Sequence, residues 1–235
     1  MATEVKQTEQ QAAPVQKSAE DRFANTFEGF WNKNGKKLSY ALLVVALLVG
    51  GYFAYNKLVK GPENQKAGNA MWRAEESFRN DSFAIALNGD GSANNLGFLK
   101  VIKQYGGTKS GNLAKFYAGA CYLQLGDFNN AIKYLQDFST SSEVVNVRAY
   151  GLIGDAYSEL GKKNEAIDSY KKASTVFPDD TFNSSEYLFR AAMLSADLGK
   201  NKEAISMLQE LKDKFPLTPR GYEADKYLAK LGETK

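Results

Sequence analysis

Three stretches of the chain repeat one pattern, and this repeat restricts the possible fold more than any other feature of the sequence. Each stretch has a small residue in a helix-like segment, then a glycine, then an alanine–isoleucine pair about one turn later. The small residues are Gly119, Gly154 and Ala192, the glycines are Gly126, Gly161 and Gly199, and the alanines are Ala131, Ala166 and Ala204. The pattern predicts similar units that stack, because each unit alone leaves an apolar face uncovered.

The residue types at these positions predict that each unit is a hairpin of two helices. Helices can cross closely only where a small side chain lies at the contact, so we expect Gly119 to face Ala131 and Gly154 to face Ala166. The glycine that follows accepts the left-handed conformation that ends the first helix. The sequence therefore predicts an all-α fold built from stacked helical hairpins.

The second unit, YGLIGDAYSELGKKNEAIDSYKKASTVFP, resembles a tetratricopeptide repeat (TPR) closely. The second and third units end at Pro178 and Pro216, whereas the first lacks this proline and the third has Ser195 where an aromatic residue is usual. The resemblance implies TPR repeats over residues 112–216. We expect a degenerate first hairpin with an enlarged loop at 64–108, and a C-terminal capping helix at 217–235.

Residues 38–57 contain an apolar run that is interrupted by no charge between Lys37 and Lys57. As a helix, the run from Leu38 to Asn56 would be about 28 Å long, close to the roughly 30 Å hydrocarbon core of a bilayer. A cleaved signal peptide fits worse, because the segment before the run is too long and no Ala-x-Ala-like site follows. The sequence predicts one N-terminal transmembrane helix. A small excess of Lys and Arg before it favours a cytoplasmic N-terminus and a C-terminal domain outside the cytoplasm.

The residues before this run fall into two segments. Residues 1–17 are polar, and we expect them to form a disordered cytoplasmic tail. Residues 18–33 have an aromatic face of Phe23, Phe27, Phe30 and Trp31 at helical spacing. They are interpreted as an amphipathic helix in the membrane interface, and the alternative is a docking helix for a membrane partner.

The composition argues against catalysis. The chain has no histidine, which removes the commonest general base and metal ligand, and its single cysteine, Cys121, lies among small residues of a repeat. The stretch from Asn88 to Ser92 resembles a calcium loop superficially, but Leu99 occupies the place of the distal glutamate that such a loop needs. The formal charge of +3 comes without a dense basic run. We therefore expect no enzyme activity, cofactor, metal or nucleic-acid partner.

TPR arrays bind peptides or partner helices on a concave surface, and the resemblance implies which residues face that groove. Carried over residue by residue, the candidate groove positions are Phe116, Ala120, Leu123, Arg148, Asp155, Phe189, Arg190 and Met193. Exposed Phe and Met side chains would suit extended or amphipathic segments. The alternative is that Phe116 and Phe189 pack between repeats, because periodicity does not separate the inner face from the groove.

The segment FWNKNGKKLSYALLVVALLVGGYFAYNKLV, combined with the repeats, resembles the YfgM-type ancillary subunits of the bacterial Sec translocon. The resemblance implies a single-pass protein of the bacterial inner membrane that associates with SecYEG and a PpiD-like periplasmic chaperone. It also implies contact with secreted chains that emerge from the channel. Two alternatives remain: a TPR scaffold for outer-membrane or cell-wall assembly, and an organellar import receptor with a cytosolic TPR domain.

Overall fold

The computed structural model describes residues 19–232, and the side chains from Phe27 onward. Within this range the chain is helical and contains no strand. It divides into two compact units, one up to Leu58 and one from Val59. The predicted all-α fold is therefore confirmed, whereas the predicted tail at 1–17 and the last three residues lie outside the described part.

The helices follow one another with short connections. Their bounds are α1 Ala19–Tyr55, α2 Gly61–Arg79, α3 Phe83–Asn88, α4 Gly97–Tyr105, α5 Lys109–Gln124, α6 Phe128–Asp137, α7 Glu143–Glu159, α8 Lys163–Val176, α9 Thr181–Asp197, α10 Asn201–Lys214 and α11 Pro219–Lys230. A π-helical stretch, Asn56–Lys60, joins α1 to α2.

Helix α1 is continuous where the sequence analysis placed two elements, an interfacial helix at 18–33 and a membrane span at 38–57. The division rested on the aromatic spacing before residue 34 and the apolar run after Lys37, and the backbone stays helical between them, through Asn34 and Gly35. The helical backbone over Phe27–Arg79 is long and apolar enough to cross a membrane, and no residue of its most apolar window is buried. An apolar surface of this length without a protein partner is what a lipid-facing helix presents.

The predicted hairpins are the pairs α5 with α6, α7 with α8, and α9 with α10, and each pair is in direct contact. The turn glycines Gly126, Gly161 and Gly199 have φ angles of 79°, 71° and 72°. These values lie in the left-handed region, where glycine ends a helix without a steric penalty. Consecutive hairpins also touch, so the apolar faces form a core that continues along the stack.

The close crossings within the hairpins agree with the prediction in one case and differ in the other. A Cβ atom added to Gly119 would lie 3.1 Å from the carbonyl oxygen of Ala131 and 2.5 Å from Cγ of Leu135. A Cβ added to Gly154 would instead lie 2.5 Å from the ring of Tyr170. Ala166 was the predicted partner, but the large ring one turn further along α8 fills the space nearest to Gly154.

The predicted degenerate hairpin at 64–108 consists of α2 and α4, and the enlarged loop between them contains the short helix α3. Phe78 of α2 packs edge-to-face against Phe83, Phe98 and Tyr117, which joins these helices to α5. The calcium-like stretch is a plain turn in which Oδ1 of Asp90 accepts a hydrogen bond from the backbone N–H of Ser92 at 2.8 Å. The predicted capping helix at 217–235 corresponds to α11.

Candidate partner-binding surface

The first helices of the second and third hairpins, α7 and α9, lie side by side. Tyr187 of α9 rests on Gly151 of α7, where an added Cβ would be 2.2 Å from the tyrosine hydroxyl oxygen. The same ring is nearly parallel to that of Tyr170, with ring centroids 6.1 Å apart. This close approach brings the polar side chains of α7 and α9 within hydrogen-bonding distance of one another.

Asp155 of α7 is the meeting point of two hydrogen bonds that cross between helices. Its Oδ1 accepts one from the Tyr170 hydroxyl of α8 at 2.7 Å and one from Nη1 of Arg190 at 2.8 Å. The Arg190 guanidinium also donates through Nε to Glu186, one turn earlier on α9, at 2.8 Å. The predicted groove residues Asp155 and Arg190 are therefore direct partners, and together they bridge two repeats.

The network continues to the capping helix. Nε of Arg220 in α11 donates to Glu186 at 2.7 Å, and its Nη1 donates to Glu223 at 2.9 Å. Its guanidinium also lies over the ring of Phe189, 4.4 Å from the centroid. We call the row of Asp155, Arg190, Glu186, Arg220 and Glu223 the charged ladder, because its members alternate in sign along α7, α9 and α11.

Burial and the ladder contacts shift the ionisation of its members. Burial of Glu186 favours its neutral form, but hydrogen bonds from Arg220 and Arg190 outweigh this effect and hold its pKa below the usual range. Burial, and then the nearby Asp155 carboxylate, raises the pKa of the Tyr170 hydroxyl. Burial opposes the charged form of Arg190, yet Glu186 and Asp155 raise its pKa further. Glu186 and Arg190 therefore both stay charged near neutral pH.

Arg148 of α7 is a cation beside the ladder that takes no part in it. Its guanidinium is exposed and interacts electrostatically with the hydroxyl groups of Tyr117 and Tyr187. Among the described residues, no carboxylate lies within ion-pair distance of it. A charged group of this kind is free to meet an anionic group on a partner without first breaking an internal pair.

Two depressions flank these residues. One, of about 450 Å³, contains the predicted positions Leu123 and Asp155 and is also bordered by Phe128 and Tyr170. The other, of about 370 Å³, lies between α6 and α8 and is lined by aromatic residues including Tyr150 and by charged residues of α8. Because α6 ends at Asp137, it is shorter than α8 and α10, which leaves the floor formed by α7 less covered.

The remaining predicted groove residues are involved mainly in packing. Ala120 is 6% exposed and Phe189 is 7% exposed, with the Phe189 ring held edge-on against Tyr227 of α11. Phe116 is half-buried and packs against Phe138, and Met193 is half-buried at the core between the third hairpin and α11. The structure thus places Phe116 and Phe189 between helices, as the alternative interpretation proposed.

The structure adds four residues to this surface that the sequence did not predict: Gly151, Glu186, Tyr187 and Arg220. The Glu186–Arg190 pair could have been found from its i,i+4 spacing, which favours ion pairs on a helix. No local signal reveals Arg220, because its partner Glu186 lies in a different helix.

The aromatic face predicted before the apolar run is partly visible. The side chains of Phe27, Phe30 and Trp31 are exposed, and the rings of Phe27 and Trp31 stack with centroids 6.1 Å apart. The side chain of Phe23 lies outside the described part. Exposed aromatic rings next to an apolar helix suit the headgroup region of a bilayer.

No site for chemistry is visible in the described part of the chain. It holds no group of three or more residues that could bind a metal ion. Cys121 is fully buried, and burial raises the pKa of its thiol to about 12, so the reactive thiolate is suppressed at neutral pH.

Comparison with known proteins agrees with the geometry. Tetratricopeptide repeat profiles match residues 113–141, 147–180 and 186–218. Human superkiller complex protein 3 is 26% identical over 114 residues, which are 48% of this chain and only 7% of that protein. TPR-like repeats of a Podospora anserina protein assigned as a kinesin light chain share the fold with a TM-score of 0.51, at 13% identity, over 71% of this chain and 85% of that one. This chain therefore carries tetratricopeptide repeats, formed by helices α5 to α10.

Proposed function

We propose that this protein is a membrane-anchored TPR adaptor without catalytic activity. The observation that carries the proposal is the direct succession of an exposed apolar helix of membrane-spanning length and a solenoid of interaction repeats. An anchor confines the repeats to a layer next to the bilayer, which raises their effective concentration toward membrane partners. Affinity for each partner can then be modest, as suits an adaptor that must also release its clients.

The recognition surface in this proposal comprises the depression that contains Leu123 and Asp155, the rest of the charged ladder, and Arg148 on the same helix as Asp155. The ladder has three carboxylates and two guanidinium groups, a formal charge of −1, and all five groups are paired within it, so it positions the helices and adds little net attraction. Arg148 supplies a free cation, the neighbouring tyrosines supply aromatic and hydroxyl contacts, and Leu123 supplies an apolar contact. This mixture favours a protein segment that carries both acidic and apolar side chains.

We further propose that the protein is an ancillary subunit of the bacterial Sec translocon. It would associate with SecYEG, recruit a PpiD-like chaperone and contact chains that emerge from the channel. The N-terminus would be cytoplasmic and the repeats periplasmic, at the inner membrane. The aromatic and Asn-Gly-Lys sequence before the apolar run supports this form through its resemblance to the YfgM-type subunits.

Site-specific crosslinking in cells tests the recognition surface. A photo-crosslinking residue replaces Leu123 or Gln124, which both border the depression beside Asp155, and the matched control replaces Lys202, which is exposed on α10. We expect a translocon subunit, a membrane-anchored chaperone or nascent secreted chains to be captured from the first two positions. Equal capture from Lys202 would contradict the proposed surface. Capture of none of these classes would contradict the translocon assignment.

A reporter fused after Lys235 tests the topology. Alkaline phosphatase is active only outside the cytoplasm, so its activity in this fusion is the expected result. A cytoplasmic reporter that is active at the same position would contradict the proposed orientation. It would favour the reading in which the repeats face the cytosol.

A further inference from the structure

The helices α2, α5, α7, α9 and α11 all begin along one edge of the repeat unit. The backbone N–H of Lys109, the first residue of α5, donates to Oδ1 of Asn64 in the first turn of α2 at 2.9 Å. The backbone N–H of Ser139, just before α7, donates to Oδ1 of Asn112 near the start of α5 at 3.3 Å. The Glu186–Arg220 side-chain pair links the second turn of α9 to the first turn of α11. We call this the starting edge.

The starting edge carries the most exposed hydrophobic side chains of the repeat unit. Within residues 59–232 the three most exposed are Leu217 at 83%, Tyr222 at 70% and Phe182 at 65%, and each lies just before or within the first turn of α9 or α11. Val144, the second residue of α7, is also exposed. We call these four residues the apolar rim. At the opposite edge, where the same helices end, the exposed hydrophobic residues Leu125 and Leu198 are 48% and 38% exposed, less than Leu217, Tyr222 and Phe182.

The starting edge is also the edge at which the chain arrives from the apolar helix. Helix α2 begins at Gly61, immediately after the π-helical stretch Asn56–Lys60 that follows α1. Exposed Leu, Phe and Tyr side chains are unfavourable in water but favourable at the boundary between headgroups and acyl chains. Because the chain enters the repeat unit at this edge, lipid is the partner to which we assign the edge.

We propose that the apolar rim inserts into the interface of the same bilayer that the apolar helix spans. This inference rests on the proposed membrane anchoring. The four rim residues are uncharged, Arg220 between Leu217 and Tyr222 is paired with Glu186 and Glu223, and Asp179 and Asp180 lie close to Phe182, so attraction to anionic lipid does not drive the contact. Insertion is therefore expected in zwitterionic as well as anionic bilayers. A second point of attachment restricts rotation of the repeats about their anchor and gives the charged ladder a fixed direction.

Fluorescence quenching by lipid tests this contact with the full chain in phosphatidylcholine vesicles. An environment-sensitive dye is attached to Phe182→Cys or Leu217→Cys, and the matched control is Leu198→Cys on the opposite edge. Leu43→Cys, in the apolar run, reports on anchoring itself. The native Cys121 needs no replacement, because it is fully buried and remains unlabelled in the folded protein. Nitroxide-labelled lipid then quenches only dyes that reach the bilayer.

The expected result is strong quenching with a blue-shifted emission at positions 43, 182 and 217, and several-fold weaker quenching at 198. Quenching at 43 with none at 182 and 217 overturns the inference and leaves the anchor intact. No quenching at 43 overturns the anchoring in the proposed function, and the inference with it. Protection of positions 182 and 217 in native membranes but not in pure lipid also overturns the inference, in favour of a protein partner.

Discussion

Replacing Gly154 by alanine tests how Tyr170 packs against α7. Helix propensity alone predicts that this change raises the free energy of unfolding, whereas the packing of the ring predicts that it lowers it. Within a helix, alanine is favoured over glycine by about 1 kcal/mol, so the change should stabilise an uncrowded site. Here the new Cβ would lie 2.5 Å from both Cδ1 and Cε1 of Tyr170. Since carbon atoms in contact stay about 3.5 Å apart, the ring must move by roughly 1 Å.

The ring has little freedom to make that movement. Tyr170 is 5% exposed, and its hydroxyl is held by Asp155 at 2.7 Å. Overpacking a core in this way costs about 1–3 kcal/mol, and the gain in helix propensity offsets only part of it. We expect Gly154→Ala to lower the free energy of unfolding by about 1–2 kcal/mol.

Gly68 provides a matched control in the interior of α2. Its nearest neighbour to an added Cβ is the hydroxyl of Ser110 at 3.7 Å, an ordinary contact. Gly68→Ala should therefore stabilise the protein by up to about 1 kcal/mol. Urea unfolding of the full chain in a mild detergent, followed by circular dichroism, measures both changes. If Gly154→Ala stabilises as much as Gly68→Ala does, the ring does not pack on Gly154 and the reasoning is wrong.

Three further predictions concern single side chains. Because the pKa of Glu186 is lowered in the folded state, its charge stabilises the fold above the usual value of 4.5, and this stabilisation is lost as the pH falls through the folded pKa. The difference in unfolding free energy between wild type and Glu186→Gln should therefore shrink over that acid range, and a difference that grows there contradicts the assignment. The hydroxyl of Ser195 is fully buried without a hydrogen-bond partner, so Ser195→Ala should raise the unfolding free energy by about 1 kcal/mol. A lower unfolding free energy in urea would mean that the hydroxyl has a partner. Arg148→Ala should abolish partner capture and change the unfolding free energy by less than about 0.5 kcal/mol. Arg220→Ala should lower the unfolding free energy by up to about 1 kcal/mol, because it breaks the ladder, and equal effects of the two changes on unfolding would contradict their different surroundings.

The sequence predicted the hairpins because their signals are local. Gly126, Gly161 and Gly199 adopt the left-handed conformation that their position after a helix requires. The spacing of apolar residues defines each helix within a few turns, independently of its neighbours. Helix α1 continues through Asn34 and Gly35, because weak helix formers lower helix stability without ending a helix.

The sequence did not separate exposed groove positions from core positions, as the neighbours Phe189 and Arg190 illustrate. Both were predicted to face the groove, yet Phe189 is buried under α11 and Arg190 is exposed on the charged ladder. Adjacent residues on a helix point about 100° apart, so an error of one position changes a partner contact into a core contact. The sequence of α9 alone does not indicate which side of this helix α11 covers.

The sequence by itself determined an apolar run of membrane-spanning length, the helical hairpins, and the residues that end each helix. Those features depend on side chains within a few residues of one another. Only the tertiary structure decided that Arg220 joins Glu186, that no carboxylate of the described residues pairs with Arg148, and that the apolar rim gathers along one edge. These outcomes depend on how helices far apart in the chain are brought side by side, and that arrangement is fixed by packing across the whole stack.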